Sequence, residues 1–317
     1  MCKRRKSGIF KIEVAEKKTI KPVAPIRPDW IKVKGIRADV QANMTENLSG
    51  LNTVCLSAKC PNLGECFSRG VATFMIGGKI CTRACAFCGV RHGKPEPLDM
   101  SEPERIASSI EKLGLKFAVI TGVARDDLHD GGAGHYAETV RAIKRRLPGI
   151  GVEILIPDFK VKKSSIETVL NSKPDILNHN METVRRLTPS IRSKATYDGS
   201  LNVLRISREL NGKIPTKSGF MVGLGEEWDE IIETLEDLMN VGCGLVTIGQ
   251  YLQPRADNRL PVVEYRTPGE FEELKKIAIK MGFRGVASGP FVRSSYMAEE
   301  TAKSVISGNS PGSDSQL

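Results

Sequence analysis

The sequence predicts an α/β fold: a partial, open (β/α)6 barrel with an extension at each end. Three observations predict it. Short apolar runs alternate with amphipathic stretches of helix length, six times over. Repeated strand–helix units of that length imply a parallel sheet with its helices outside. The chain has 317 residues, 40% of them hydrophobic, enough to bury one core of barrel size as readily as two small ones. Six units are too many for a small sheet and too few for an eight-unit barrel, hence the partial barrel. Chemistry is expected at the C-terminal ends of its strands.

Residues 1–35 alternate Lys, Pro and short apolar pieces, and Pro22, Pro25 and Pro28 argue for an extended arm rather than a helix. Buried strands are predicted at 73–76, 117–121, 152–156, 176–178, 219–222 and 245–248. The first helix, 102–113, opens on Ser101 as N-cap with Pro103 in its first turn and stops at Gly114. Further helices fit 136–147, 164–171, 200–210, 229–239 and 268–281. The tail from Ser307 to Leu317 is rich in Ser, Gly, Asn and Pro and reads as disordered. There is no internal repeat.

The formal net charge of +10 points at first to nucleic acid, but its distribution does not. Residues 1–37 hold twelve Lys or Arg against three Asp or Glu, so the body beyond them is almost neutral. The basic arm is either solvated or set against an acidic protein partner. Aromatic residues make up only 5% of the chain, so stacking platforms are scarce and no nucleic acid is expected. No apolar run approaches the ~18 residues of a membrane span. The charged start, Met1 to Lys6, is followed by no apolar core, and Glu13 and Glu16 argue against a transit peptide; a cytoplasmic protein is expected.

Six of the eight cysteines fall between positions 55 and 88. In a cytosolic chain such crowding indicates metal ligation before disulfides. Cys2 lies at the terminus, and Cys243 reads as a small buried apolar residue. Cys81, Cys85 and Cys88 are spaced C-x3-C-x2-C after the first predicted strand. Structural zinc takes four ligands, typically in paired knuckles, and a ferredoxin cluster also takes four cysteines. Three thiolates on a four-iron cubane leave one iron open to a substrate or a chelating cofactor. This spacing, on a loop after a barrel's first strand, resembles the radical S-adenosylmethionine (SAM) superfamily, whose partial barrel fits the predicted fold. The resemblance implies that the amino and carboxylate groups of SAM chelate the open iron. Electron injection then releases a 5′-deoxyadenosyl radical that takes hydrogen from an unreactive carbon.

Further SAM contacts follow from the same resemblance. Gly131 and Gly132 resemble the superfamily's glycine motif, whose backbone meets the methionyl amine, although Ala133 stands where a glutamate is usual. After the fourth strand, Asn180 and Glu182 suit the ribose hydroxyls and Arg192 the carboxylate. Each of these also suits a helix cap or a surface ion pair. His92 and His179 read as structural.

Cys55, Cys60 and Cys66 form a second triplet, whose spacing alone is ambiguous between clusters and zinc. Beside the first triplet it becomes specific. Taken with Arg125-Asp126-Asp127-Leu128, the segments from Met221 to Glu226 and Gly249 to Pro254, and Arg293-Ser294-Ser295-Tyr296, it resembles the lipoyl synthase family. The resemblance runs from Pro28 to Tyr296; Gly122-Val123-Ala124 departs from many members without changing a ligand. It implies two 4Fe-4S clusters, SAM, and insertion of sulfur at C6 and C8 of an octanoyl chain on a carrier-domain lysine. The cluster on Cys55, Cys60 and Cys66 is then the sulfur source, with Ser295 as its fourth ligand and Ser294 as the alternative. An alkoxide is a harder ligand than a thiolate, which suits an iron that must let go. Both serines also suit a cap for a helix starting near Tyr296. Implied partners are octanoylated lipoyl carrier domains (2-oxoacid dehydrogenase subunits and the glycine cleavage carrier protein), a low-potential electron donor, and iron–sulfur assembly or carrier proteins.

The implied organisation is a basic arm over 1–50, an auxiliary-cluster segment over 51–70, the barrel over 71–290 and a cluster-capping segment with its tail over 291–317. Two other readings compete. Another radical SAM sulfur inserter leaves the Cys55–Cys66 spacing and the Arg-Ser-Ser-Tyr segment without a purpose. A non-catalytic iron–sulfur electron carrier has no use for six strand–helix units.

Overall fold

The structure is a computed structural model that describes residues 25–31, 51–53, 62, 65–66, 71–254, 260–296 and 298–300. Most of the predicted arm, Cys2, Cys55, Cys60 and the tail lie outside the described residues.

Seven parallel strands lie in chain order across one sheet: β1 (Val71–Ile76), β2 (Phe117–Gly122), β3 (Gly151–Leu155), β4 (Ile176–Asn178), β5 (Thr216–Val222), β6 (Leu245–Gln250) and β7 (Gly285–Gly289). Between them run α1 (Glu102–Lys112), α2 (Ala133–Arg146), α3 (Lys163–Leu170), a single turn α4 (Thr188–Ile191), α5 (Tyr197–Leu210), α6 (Trp228–Asn240) and α7 (Pro268–Met281). β1 and β7 are the edges, and they do not pair with each other among the described residues, so the barrel is open.

Strand alternation assigns each side chain a face. Ala72, Phe74 and Ile76 of β1, with Ala118 and Ile120 of β2, Val152 and Ile154 of β3 and Leu177 of β4, pack outward against α1, α2 and α3. Phe220, Val222, Val246 and Ile248 pack against α6 and α7. The alternate residues point inward. Val71, Phe117, Ile176 and Leu245, each the first residue of its strand, meet Val119 and Ala298 in one small apolar cluster. Strands one, two, four and six touch only because the sheet curls, and this cluster is the barrel floor.

Above the floor the lumen turns polar. Lys217 Nζ lies 2.9 Å from Glu153 Oε2, both side chains fully buried, and Asn178 Nδ2 donates to Glu153 Oε1 at 2.7 Å. Breaking a buried pair strands the remaining charge, at a cost of about 3–5 kcal/mol. Lys217→Met is therefore expected to lower the unfolding free energy by about that amount, and adding Glu153→Gln to recover part of it. Chemical denaturation of the two variants checks both.

All six predicted strands are present, and β7 is an addition. Its sequence, Gly285-Val286-Ala287-Ser288-Gly289, has one large apolar residue and so gives no hydrophobic run, yet it pairs with β6 along its whole length. The predicted cap at Ser101 is a correction. Ser101 is helical in its backbone and its side chain caps nothing; instead Asp99 Oδ1 accepts from Ser101 N and Oγ, at 2.9 and 2.6 Å. The carboxylate, two residues upstream, competes for the same turn and wins.

Candidate active site at the barrel mouth

β1 runs into Gly77-Gly78, both left-handed at φ 81° and 102°, a conformation glycine adopts without strain. The turn is clamped on both sides: Gly77 N donates to Glu102 Oε2 at 2.8 Å, and Arg125 Nη1 donates to Gly77 O at 3.1 Å. It delivers the chain to Cys81. A two-residue pairing of Ile80–Cys81 with Arg91–His92 then closes the cysteine loop, leaving His92 exposed on it.

Every thiol of this loop meets backbone N–H groups. Cys81 Sγ accepts from Arg83 N at 3.4 Å and Ala124 N at 3.3 Å; Cys85 Sγ from Ser193 N at 3.4 Å; Cys88 Sγ from Val90 N at 3.5 Å. Donors aimed at sulfur stabilise thiolates and tune the potential of a cluster they hold. Burial pushes the free Cys85 thiol up in spite of the Ser193 N–H, so bound iron is what would keep it ionised. Among the described residues no three His, Cys, Asp or Glu side chains converge on a point that one ion could fill. A cubane takes its thiolates at separate corners. Three thiolates, each with its own N–H donor, suit an iron–sulfur cluster.

Several other loops hold the cysteine loop from around the mouth. From the β2 end, Thr82 Oγ1 donates to Ala124 O and accepts from Asp126 N. From the α4 end, Ile191 O accepts from Ala86 N at 2.8 Å. Phe87 packs beside Ile191, Leu224 and Tyr251, and Gly89 lies against Pro254 beyond β6.

Arg83 is the tightest anchor. Its Nε and Nη2 donate to both oxygens of Asp126, at 2.9 and 2.8 Å, and Nη2 also reaches Asp158 at 2.6 Å. Burial opposes ionisation of Asp126, but the hydrogen bond and charge of Arg83, helped by Lys194, outweigh it and hold the carboxyl down at about 2. An unfolded Asp titrates near ~4. The folded state therefore gains stability above that value and loses it as pH falls from about 4 through about 2. Arg83→Met leaves two carboxylates without their shared cation. The expected result is a cysteine loop that reconstitutes with severalfold less iron, read as iron per chain, together with a lower melting temperature.

Asn180, Glu182 and Arg192 come together on the β4 side of the mouth. Asn180 Nδ2 donates to Glu182 Oε1 at 3.1 Å. Glu182, left-handed at φ 67°, extends the sheet: its N donates to Gly219 O, and its O accepts from Met221 N. Arg192 Nη1 donates to Ser200 Oγ at 2.6 Å and Met181 O at 3.2 Å. Its neighbours Ile191 and Ser193 are the residues that bind Ala86 and Cys85. Burial pushes the Glu182 carboxyl up against the opposing charge of Arg192, and burial pulls Arg192 down. Asn180 Oδ1 is buried without a partner among the described residues. A Cβ at Gly219 would stand 2.4 Å from Thr247 Oγ1 and 3.1 Å from that Oδ1, so the space in front of Asn180 depends on glycine. His179 is held neutral, near 4, by burial and then by Arg192, and its Nδ1–H donates to Ile156 O at 2.9 Å.

Gly131 and Gly132 stand on the β2 side, where they open α2 at φ 68° and 90°. Their N–H groups are committed to Leu128 O and Asp130 Oδ1. A Cβ on Gly131 would come within 2.9 Å of the Phe159 ring. Sequence reasoning missed Thr82, Arg83, Asp158 and Ser193, and it named the Met221 to Glu226 segment without a role for the turn after β5. In that turn Glu226 accepts from Gly223 N at 2.6 Å and Leu224 N at 2.8 Å, and Gly223 is left-handed at φ 94°. An arginine inside a cysteine loop, two residues from a candidate ligand, was the available signal for the ion-pair anchor.

Of the Cys55, Cys60 and Cys66 triplet only Cys66 is described; it is half-buried, and its N donates to Asn62 O at 2.9 Å. Ser295 lies in a turn closed by Tyr296 N donating to Arg293 O at 2.9 Å. The two segments are bonded to each other: the Asn62 side-chain amide donates to Phe291 O, and Tyr296 OH donates to Glu65 Oε1 at 3.2 Å. The C-terminal segment also presses on the mouth end of β6, where a Cβ on Gly249 would stand 2.1 Å from Val292 O. Gly249→Ala is expected to push that segment outward and to lower iron bound by Cys55, Cys60 and Cys66, while iron on Cys81, Cys85 and Cys88 is kept. Iron per chain with Mössbauer spectra of the reconstituted variant checks it.

Comparison with known proteins agrees with this geometry. The radical SAM superfamily profile matches residues 75–238. The lipoyl synthase of Rubrobacter xylanophilus is 51% identical over 276 residues, covering 86% of this chain and 86% of the relative. That of Porphyromonas gingivalis is 51% identical over 278 residues, covering 86% and 97%. That of Halalkalibacterium halodurans is 52% identical over 277 residues, covering 86% and 91%. Among solved structures, the hydrogenase maturase HydG superimposes with TM-score 0.56 at 15% identity, over 84% of this chain and 66% of that one. Streptococcus suis SuiB bound to S-adenosylmethionine does so with TM-score 0.51 at 13% identity, over 69% and 50%. Those two likenesses concern the fold alone. The sequence relationship goes further: this chain belongs to the lipoyl synthase family of the radical SAM superfamily.

Proposed function

We propose that the chain inserts two sulfur atoms, at C6 and C8, into an octanoyl chain carried on a lysine of lipoyl carrier domains. The observation that carries this reading is the half-identity to lipoyl synthases along nearly the whole chain. The three-thiol loop with an N–H donor on each sulfur supports it. When bound, a 4Fe-4S cluster with SAM supplies the 5′-deoxyadenosyl radical, and a second 4Fe-4S cluster supplies sulfur.

Cys81, Cys85 and Cys88 hold the first cluster and Cys55, Cys60, Cys66 and Ser295 the second, with Ser294 the alternative oxygen ligand. Arg192, half-buried next to Ser193 whose N–H meets Cys85, serves as the cation for the SAM carboxylate. Asn180, with its unpartnered oxygen, and Glu182 serve the ribose hydroxyls, and the Gly131-Gly132 backbone serves the methionyl amine. The acyl chain is taken to enter at the open barrel edge, where β1 and β7 stay unpaired with each other among the described residues. The partners follow from the substrate: octanoylated 2-oxoacid dehydrogenase subunits and the glycine cleavage carrier protein, a low-potential electron donor, and iron–sulfur assembly or carrier proteins, in the cytoplasm. No described helix is long and apolar enough to cross a membrane.

The test is the mass of an octanoyl-lysyl peptide after anaerobic turnover with SAM and a low-potential reductant. A gain of two sulfurs supports the proposal. SAM cleavage with an unchanged peptide contradicts it.

A further inference from the structure

Beside the cysteine loop, between the mouth ends of β2 and β3, lies a cavity of about 330 Å³. Arg83, Arg125, Lys160 and Lys162 line it, and Asp126 is the one carboxylate among its lining residues. The two arginines are already neutralised, Arg83 by Asp126 and Asp158, and Arg125 by Asp127 at 2.8 Å. The two lysines have no carboxylate partner among the described residues. Lys160 Nζ donates to Asp126 O at 3.2 Å, and Lys162 Nζ to His129 O at 3.2 Å with the imidazole 3.3 Å away. Two ammonium charges therefore stand uncompensated on one cavity.

A second observation marks the same wall. Phe159, Lys160 and Val161 are consecutive residues with left-handed backbones, at φ 46°, 53° and 58°. Side chains with a Cβ resist this at roughly 1–2 kcal/mol per residue, and Val161 is β-branched. Such a turn persists only where its surroundings over-determine it. Here Asp158 Oδ1 accepts from Lys160 N at 2.9 Å, and the Phe159 ring meets Tyr136 edge-on with centroids 5.9 Å apart. The outcome of the strain is that Lys160 and Lys162, two residues apart, both line the cavity.

The remaining walls include Leu128, Pro157 and Phe159. Apolar walls below two ammonium groups suit a carboxylate on a methylene stem better than a bare hydrated ion. The octanoyl chain itself is neutral and apolar and has no use for them. The protein that presents it does have a use, because its surface must cover this mouth for the chain to enter.

We propose that this cavity receives the side-chain carboxylate of an Asp or Glu that flanks the modified lysine on the carrier domain. The proposal rests on the sulfur-insertion reading above. Asp126 joins the cavity to Arg83, so a seated carboxylate lies one ion pair away from the cysteine loop.

Two octanoyl-lysyl peptides test it, one with glutamates flanking the lysine and one with glutamines. The reconstituted chain with SAM is expected to bind the glutamate peptide about fivefold to tenfold more tightly, as two charge pairs at a half-open site would give. The preference is expected to shrink as salt rises. In Lys160→Asn/Lys162→Gln the preference is expected to vanish while the glutamine peptide binds as before. Asparagine is chosen at 160 because it tolerates the left-handed backbone. Equal affinity of the original chain for both peptides overturns the proposal, as does a preference that survives the double substitution. Weakened SAM binding with peptide affinity unchanged overturns it too, since the carboxylate served is then that of SAM. Sulfur gain on both peptides with no preference refutes the cavity's role alone. Sulfur gain on neither refutes the sulfur-insertion reading.

Discussion

A Cys85→Ala chain, reconstituted without oxygen, is expected to hold about four irons in place of about eight and to cleave no SAM. Cys85 is the thiol on which the two halves of the mouth meet: its sulfur accepts from Ser193 N, and the next residue's N–H is bound by Ile191 O. Alanine leaves two thiolates for a four-iron core and frees the loop that faces Arg192. The fold should not suffer, because the Arg83 ion pairs and the Phe87 contacts keep the loop in place. Iron content, SAM cleavage and a melting curve separate these effects. Retained SAM cleavage would remove Cys85 from the ligand set.

Ser295→Ala is expected to produce a different defect. SAM cleavage should continue, because the Cys81, Cys85 and Cys88 loop is untouched, whereas sulfur insertion should fall by about tenfold or more. The physical reason is the character of the ligand. On the proposed assignment an oxygen ligand would close the resting cluster, yet be poorly matched to soft iron–sulfur bonding and so able to leave. Ser294→Ala serves as the control, expected to stay near the unsubstituted rate. The bonds that tie the Cys66 segment to the turn bearing both serines remain in either variant, since neither serine makes them. Full sulfur insertion by Ser295→Ala with both clusters present would end its assignment as ligand. A loss confined to Ser294→Ala would move the role to that residue.

Much of this site was legible in the sequence for a simple reason. Thiolates at fixed spacing have few structural uses, and apolar runs of strand length repeated with helices leave few folds. β7 stayed hidden because a strand lining the open side of a barrel can be built from glycine, alanine and serine, with no hydrophobic run. Ser101 misled because a serine before a helical pattern looks like a cap, while the carboxylate of Asp99 took its place. Arg83 was overlooked because its partners, Asp126 and Asp158, lie on two other loops and meet it only after the sheet curls. The left-handed run at Phe159, Lys160 and Val161 has no sequence signal at all, since none of the three is a residue that favours it.

On the proposed function one cysteine triplet is kept through turnover and the other consumed, and a single-turnover isotope experiment tests that most directly. The chain is reconstituted with a heavy isotope of sulfide and allowed to act on an octanoyl-lysyl peptide with only light sulfur in solution. Both sulfurs of the product are expected to be heavy. Mössbauer spectra are expected to show one cluster lost per lipoyl group formed, with the cluster on Cys81, Cys85 and Cys88 intact. Light sulfur in the product, or loss of the Cys81–Cys85–Cys88 cluster in step with product, would contradict it.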